Sequence, residues 1–174
     1  VGWLRKEKGV NELVRAFVLL SQENPKVHLV LLGRYWPADP LEYEVQQLID
    51  THPRIHYLPW RFDVVPVYAA ADLVALPSYR EGFPNVVLEA GAAGLAVVAT
   101  DVIGCREAVQ DGVTGLLVPC GDVLALKEGL KRLADDAGLR SKLGANGRRR
   151  VEREFRQEII WEGLLKLYRQ LLAN

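Results

Sequence analysis

The sequence has only two cysteines, Cys105 and Cys120, and no Cys/His cluster at metal-ligand spacing. A disulfide framework and a zinc module are therefore excluded, and the pair suits free thiols in a reducing compartment. The three histidines, His28, His52 and His56, are scattered. Charge of one sign is not in excess: 22 basic residues balance 22 acidic ones. That removes the global attraction on which nucleic-acid binding draws, and no nucleic-acid partner is expected. No apolar run reaches the roughly 18 to 20 residues of a membrane span, and no signal peptide is visible. The glycine fingerprints Gly-x-Gly-x-x-Gly and the Walker phosphate loop are also missing.

What is present is a chain of 174 residues, 49% hydrophobic and 25% charged, enough for one domain with a full core. It opens on Val1-Gly2-Trp3-Leu4, which reads as the tail of a strand. Residues 1–174 are therefore expected to be a single domain cut from a longer protein. Short apolar runs alternate with helical periodicity throughout, the pattern of a parallel sheet with crossover helices. Strands are expected at Val27 to Leu32, Arg54 to Leu58, Leu73 to Leu76, Ala96 to Ala99 and Leu116 to Val118. Helices are expected over 8–24, 40–51, 63–71, 85–93, 122–135, 139–152 and 155–172, with a helical turn near Arg106. The fold class is α/β, a Rossmann-like doubly wound parallel sheet of about six strands with flanking helices. If strand order reverses between the first and fourth strands, the loops Leu4 to Lys8 and Ser78 to Asn85 face one crevice. Ligands bind at such a switch point.

The second of those loops carries Glu81-Gly82-Phe83-Pro84-Asn85-Val86-Val87-Leu88-Glu89. A helix is expected to start here with Pro84 at its first position, where a missing N–H costs nothing. The amides of Asn85, Val86 and Val87 would then point into the crevice as an anion site. Glu81 beside it can accept hydrogen bonds from hydroxyls, and Gly82 permits close backbone approach or positive φ. Glu89, one turn into the helix, can bond a second hydroxylated end of the same ligand. A nucleoside diphosphate sugar has that layout. The residues alone leave open an ordinary strand–helix loop with Glu89 a solvated helix residue. Lys8 could neutralise phosphate from across the crevice, or belong to a solvated run with Arg5, Lys6 and Glu7. Gly33 and Gly104 could admit ligand or simply make tight turns, and Trp60-Arg61 could flank a base or pack at the rim. Arg148, Arg149, Arg150 and Arg153 could meet anionic headgroups or form a solvated helix face with Glu152 and Glu154.

Taken together, these segments resemble the C-terminal, donor-binding domain of family 4 retaining glycosyltransferases of the GT-B fold. The Glu-x7-Glu signature is complete from Glu81 to Glu89. Val1-Gly2-Trp3-Leu4 with Lys8-Gly9-Val10, Val30 to Gly33, Ala71 to Ser78, Glu89 to Gly94, Thr100 to Glu107 and Gly112 to Pro119 match the remaining blocks. The resemblance covers essentially the whole chain. It implies that Glu81 contacts the transferred sugar near the reacting centre and Glu89 holds the ribose. It also implies that the amides of Phe83 to Val86 meet sugar and diphosphate, and that Lys8 neutralises the leaving diphosphate. Donor-binding residues are thus Lys8, Gly33, Arg61, Gly82, Phe83, Pro84, Asn85, Val86 and Glu89, with Glu81 catalytic.

The resemblance further implies that no cofactor or metal is needed, and that the acceptor is a glycan or lipid-linked glycan held by a missing N-terminal domain. It implies a cytoplasmic protein, at the inner membrane face if the full-length protein makes a peripheral membrane contact. The fragment alone would be inactive. Two departures stand out: Trp3 replaces the usual Arg of V-G-R-L, and Gly104-Cys105 replaces Gly-Gly. Gly-Cys-Arg-Glu together with Pro-Ser-Tyr-Arg-Glu-Gly resembles bacterial members that build surface polysaccharides on a lipid carrier. A nucleotide-sugar-binding module without turnover is the alternative that Trp3 motivates. A two-carboxylate glycosidase would place its acids about 5 to 10 Å apart across one bond, and Glu89 on the nucleoside side does not suit it. In relatives the last helix crosses back to the N-terminal domain. Here Trp161, Leu164, Leu165 and Tyr168 either pack on the sheet domain or form an exposed stripe open to dimerisation.

Overall fold

The structure, a computed structural model, describes residues 1–172; the last two residues of the expected domain lie outside it. β1 (Gly2–Leu4), β2 (Leu29–Tyr35) and β3 (Ile55–Pro59) form a parallel sheet in that order, and β4 (Leu73–Leu76), β5 (Ala96–Thr100) and β6 (Gly115–Val118) form a second. The strands thus run outward from a middle occupied by β1 and β4, the expected reversal of order. The difference is that the six strands make two three-stranded ladders rather than one. Among the described residues no ladder bonds β1 to β4. Just beyond the carboxyl ends of these strands the halves do join. The Tyr79 amide donates to the Glu7 carbonyl at 2.9 Å.

Between the strands lie α1 (Val10–Glu23), α2 (Tyr43–Thr51), α3 (Val65–Ala69), α4 (Asn85–Ala92) and α5 (Ile103–Ala108); α6 (Val123–Asp135), α7 (Ala137–Glu154) and α8 (Gln157–Leu172) follow β6. Asp122 caps α6, accepting from the Ala125 amide at 2.9 Å, and Asp136 caps α7 from the Leu139 amide at 2.8 Å. All five residues of β5, Ala-Val-Val-Ala-Thr, are buried, as a strand covered on both faces requires. One core packs α1, α2 and α6 on both sheets, through Leu4, Phe17, Leu31, Val98, Leu126 and Leu133. The other packs α3, α4 and α5 on the second sheet alone, through Tyr68, Val74, Leu76, Val87, Ala90 and Val97. The first sheet is therefore covered mainly on one face, and Trp3 and Val30 remain 42% and 45% exposed. None of α8 is buried, so Trp161, Leu164, Leu165 and Tyr168 form the exposed stripe rather than packing on the sheets.

Gly9 holds the join. Its φ is +65°, and a Cβ there would lie 2.0 Å from the Pro77 carbonyl oxygen at the end of β4. A side chain would both strain the backbone and force the two halves apart. Gly9→Ala is expected to lower stability by roughly 2–4 kcal/mol, and the melting temperature by about 5–15 °C. A calorimetric or circular-dichroism melt within about 1 °C of the parent would refute this role for Gly9.

Candidate functional site

The join delivers the two loops to one place. Lys8, in a 3-10 turn after β1, and Glu81, in the loop between β4 and α4, are 73 positions apart in sequence. Lys8 Nζ donates to Glu81 Oε1 at 2.7 Å, with the two side chains 26% and 11% exposed. A partly buried ion pair of this kind keeps each charge satisfied while leaving donors and acceptors for a ligand: two further N–H bonds on the ammonium and a second carboxylate oxygen.

Glu81 is followed by α4. Pro84 is the N-cap residue, with φ −80° and ψ 108°, rather than the first helical residue. The first helical residue is Asn85, because Pro84 keeps an extended ψ and its carbonyl already accepts the Val87 amide at 3.0 Å. No side chain caps α4, so the first-turn amides of Asn85 and Val86 retain the character of an anion site. Asn85, Gly82 and Phe83 are exposed, Val86 is half-buried and Pro84 is buried. Gly82 does not adopt positive φ, and a Cβ there would meet nothing within 4 Å. The close approach is made instead by Gly104 of α5, whose Cβ would lie 2.1 Å from the Gly82 carbonyl oxygen and 2.5 Å from that of Glu81.

Glu89 lies four residues beyond Asn85, about 6 Å along the helix axis. Its Oε2 accepts from the hydroxyl of Tyr68, a 5% exposed residue on α3, at 2.7 Å. Burial, then the bond to Glu89 and its charge, push the Tyr68 phenol well above the usual tyrosine range. Glu89 is thus oriented by a fixed neutral donor, which leaves its other oxygen for a ligand hydroxyl. Sequence reasoning missed Tyr68; its signal was a lone aromatic in a short helix of small and apolar residues.

It also missed Glu7. Glu7 pairs with Arg5 at 2.8 Å and Arg80 at 2.9 Å, and its amide donates to Asp39 at 2.9 Å. Arg5, two residues from Trp3, is therefore engaged by Glu7. Trp3 packs edge-to-face on Trp36, with ring centroids 4.7 Å apart. Two other expected residues, Gly33 and Arg61, make no hydrogen bond or ion pair with Lys8 or Glu81 among the described residues. Gly33 faces β1, where a Cβ would lie 1.6 Å from the Gly2 carbonyl oxygen, so it serves strand pairing directly. Arg61 is exposed on the loop after β3, and it is Arg34 that lies over the Trp60 ring, at 4.6 Å. No group of three or more His, Cys, Asp or Glu placed to hold a metal ion occurs among the described residues. No helix among them is long and apolar enough to cross a membrane.

A family model described as "Glycosyl transferases group 1" matches residues 1–150. The chain is 33% identical over 174 residues to the capsular polysaccharide biosynthesis glycosyltransferase CapM of Staphylococcus aureus, covering all of this chain and 46% of that protein. It is 38% identical over 167 residues to the N,N'-diacetylbacillosaminyl-diphospho-undecaprenol alpha-1,3-N-acetylgalactosaminyltransferase of Campylobacter jejuni, covering 96% of this chain and 43% of that one. Among solved structures, Anabaena HepE in complex with UDP superposes with a TM-score of 0.87 at 27% identity, covering 97% of this chain and 48% of that one. The chain thus spans less than half the length of these relatives.

The site has one chemical probe of its own. Cys105, at the start of α5, is fully buried, and burial together with the charge of Glu81 pushes its thiol up to about 11. The thiolate is the reactive form, so at about pH 8 a disulfide reagent is expected to modify the exposed Cys120 and spare Cys105 until the chain unfolds. Because the folded value is the higher one, the thiol adds stability below the unfolded value of about 8.5 and loses it as pH rises toward 11. Two thiols reacting at equal rates in the native chain would contradict this placement of Cys105.

Proposed function

The chain belongs to the glycosyl transferases group 1 family, and on that footing we propose that residues 1–174 are the nucleotide-sugar donor domain of a longer, retaining family 4 enzyme of the GT-B type. The observation that carries the proposal is the meeting of Lys8 with Glu81 at the uncapped start of α4, with Glu89 one turn further in. In this reading Glu89 takes the ribose hydroxyls, the Asn85 and Val86 amides take the diphosphate, and Glu81 takes a hydroxyl of the sugar. When the bond from the anomeric carbon to the diphosphate oxygen breaks, negative charge grows on the leaving phosphate. Lys8 and the positive end of α4 stand where that charge develops, so they act mainly in the transition state. These groups supply the charge stabilisation, and no metal or other cofactor takes part.

The donor is a UDP-hexose, a reading supported by the likeness to HepE, whose structure contains UDP. The acceptor is a polysaccharide or lipid-linked intermediate of surface-glycan synthesis, as the names of the Staphylococcus and Campylobacter relatives suggest. An N-terminal domain supplies the acceptor site, so the 174 residues alone bind donor without turning it over. The full-length enzyme works in the cytoplasm, at the inner face of the membrane where lipid-linked acceptors reside. A second reading, a nucleotide-sugar-binding module without turnover, is favoured by one observation: at Trp3 an indole packed on Trp36 stands where a cation is expected. Transfer activity of the full-length protein, lost in Glu81→Ala, separates the two.

UDP or a UDP-sugar at about a hundred times its dissociation constant is expected to stabilise the chain by about 2.7 kcal/mol, raising its melting temperature by roughly 5–10 °C. Glu89→Ala is expected to weaken UDP binding by roughly 10- to 100-fold, the loss of a hydrogen bond to a charged group. GDP- and ADP-sugars serve as the comparison. No thermal shift with any nucleotide sugar at millimolar concentration would overturn the donor-domain reading.

A further inference from the structure

Within the basic run of α7, one residue differs from its neighbours. Arg148 pairs with Glu152, Arg149 with Asn146 and Arg153 with Glu154, all on the solvent side. The Arg150 side chain is 13% exposed and turned inward. Its Nη1 and Nη2 donate to the carbonyls of Ala108 and Glu107, each at 2.6 Å, and its Nε donates to Glu154 at 2.9 Å. The guanidinium also lies 5.3 Å from the centre of the Phe155 ring.

Both ends of this arrangement reach the Glu81 loop. Ala108 and Glu107 end α5, whose last carbonyls lack helical partners, and a guanidinium fork satisfies two of them at once. α5 is six residues long, a strut of about 9 Å. Its other end carries Gly104, pressed against the Glu81 and Gly82 carbonyls, so a shift of α5 moves that backbone directly. On the opposite side, the Phe155 ring lies 5.3 Å from the Phe83 ring of the same loop. One side chain therefore contacts both supports of residues 81–83.

We propose that Arg150, together with Phe155, is a positioning residue for the Glu81–Phe83 loop, holding it through α5 on one side and through the Phe83 ring on the other without touching ligand. Its consequence for donor affinity rests on the reading above; its effect on the loop does not.

The test uses the 174-residue chain, ligand-free, by hydrogen exchange of peptides spanning residues 79–88, followed by UDP titration. Arg150→Ala and Phe155→Leu are expected to speed exchange in those peptides by roughly tenfold, within the range of coupling between linked sites. Arg148→Ala is expected to leave it unchanged. Arg150→Lys keeps the charge but not the fork, and is expected to recover less than half of the lost protection. UDP affinity should fall about five- to tenfold in Arg150→Ala and not in Arg148→Ala. Wild-type exchange over 79–88 in both Arg150→Ala and Phe155→Leu would overturn the proposal, as would an equal rise across every peptide of the chain. If Arg150→Ala does not fold, Phe155→Leu and Arg150→Lys carry the same comparison. A wild-type chain that binds no UDP refutes the choice of UDP as donor nucleotide, and the exchange data then still decide the role of Arg150.

Discussion

A single backbone hydrogen bond, from the Tyr79 amide to the Glu7 carbonyl, marks the place where the two halves of the molecule become one. The two ladders are separate, and each can satisfy its own backbone internally. What fixes their relation is the contact of the turns after β1 and β4, with Gly9 allowing the Pro77 carbonyl to sit where a side chain would be. The core shared by α1 and α6 then closes across both ladders. The Lys8–Glu81 contact depends on that junction, because Lys8 comes from one side of it and Glu81 from the other.

The site follows a simple electrostatic logic. An anion-binding helix end next to a carboxylate would repel the very group it needs unless a cation stands between them. In the proposed donor site Lys8 would supply that cation and, being engaged by Glu81 beforehand, would lose less freedom when a phosphate arrives. Glu89 is handled differently: a neutral, buried phenol holds it and sets its direction. The two carboxylates of one nine-residue segment thus differ in partner, Lys8 for one and Tyr68 for the other.

Much of this was legible in the residues. Short apolar runs placed the six strands, four of them closed by Gly33, Pro59, Pro77 or Pro119, and the spacing of Glu81 and Glu89 around Pro84 located the loop. The misses have a common physical origin. β2 runs on through Arg34 and Tyr35 because Trp3 and Leu4 pair with them, and pairing partners do not show in a local pattern. The expected helix over 63–71 shortens to Val65–Ala69 because local periodicity does not mark where the chain turns away into β4. The roles of Tyr68 and Arg150 escaped notice because their partners lie 21 and 42 to 43 positions away. Arg150 in particular reads as one of several equivalent arginines until its burial is known. The single continuous sheet was expected because a strand's apolar character says that it is buried, not which neighbour it bonds.

The 73-residue separation of Lys8 and Glu81 also bears on how the chain folds. Closing a loop of that length costs about 4 kcal/mol of chain entropy, whereas an exposed ion pair returns only about 0–1 kcal/mol and a partly buried one also carries the cost of desolvating both charges. The pair cannot bring the ends together; docking of β1 and burial of Leu4 and Val10 must do so. A partly folded chain with β1 undocked therefore lacks the Lys8 ammonium beside Glu81. In the proposed donor site, ligand affinity would therefore report whether β1 is docked, because a stretch of chain lacking residue 8 or residue 81 cannot form the pair.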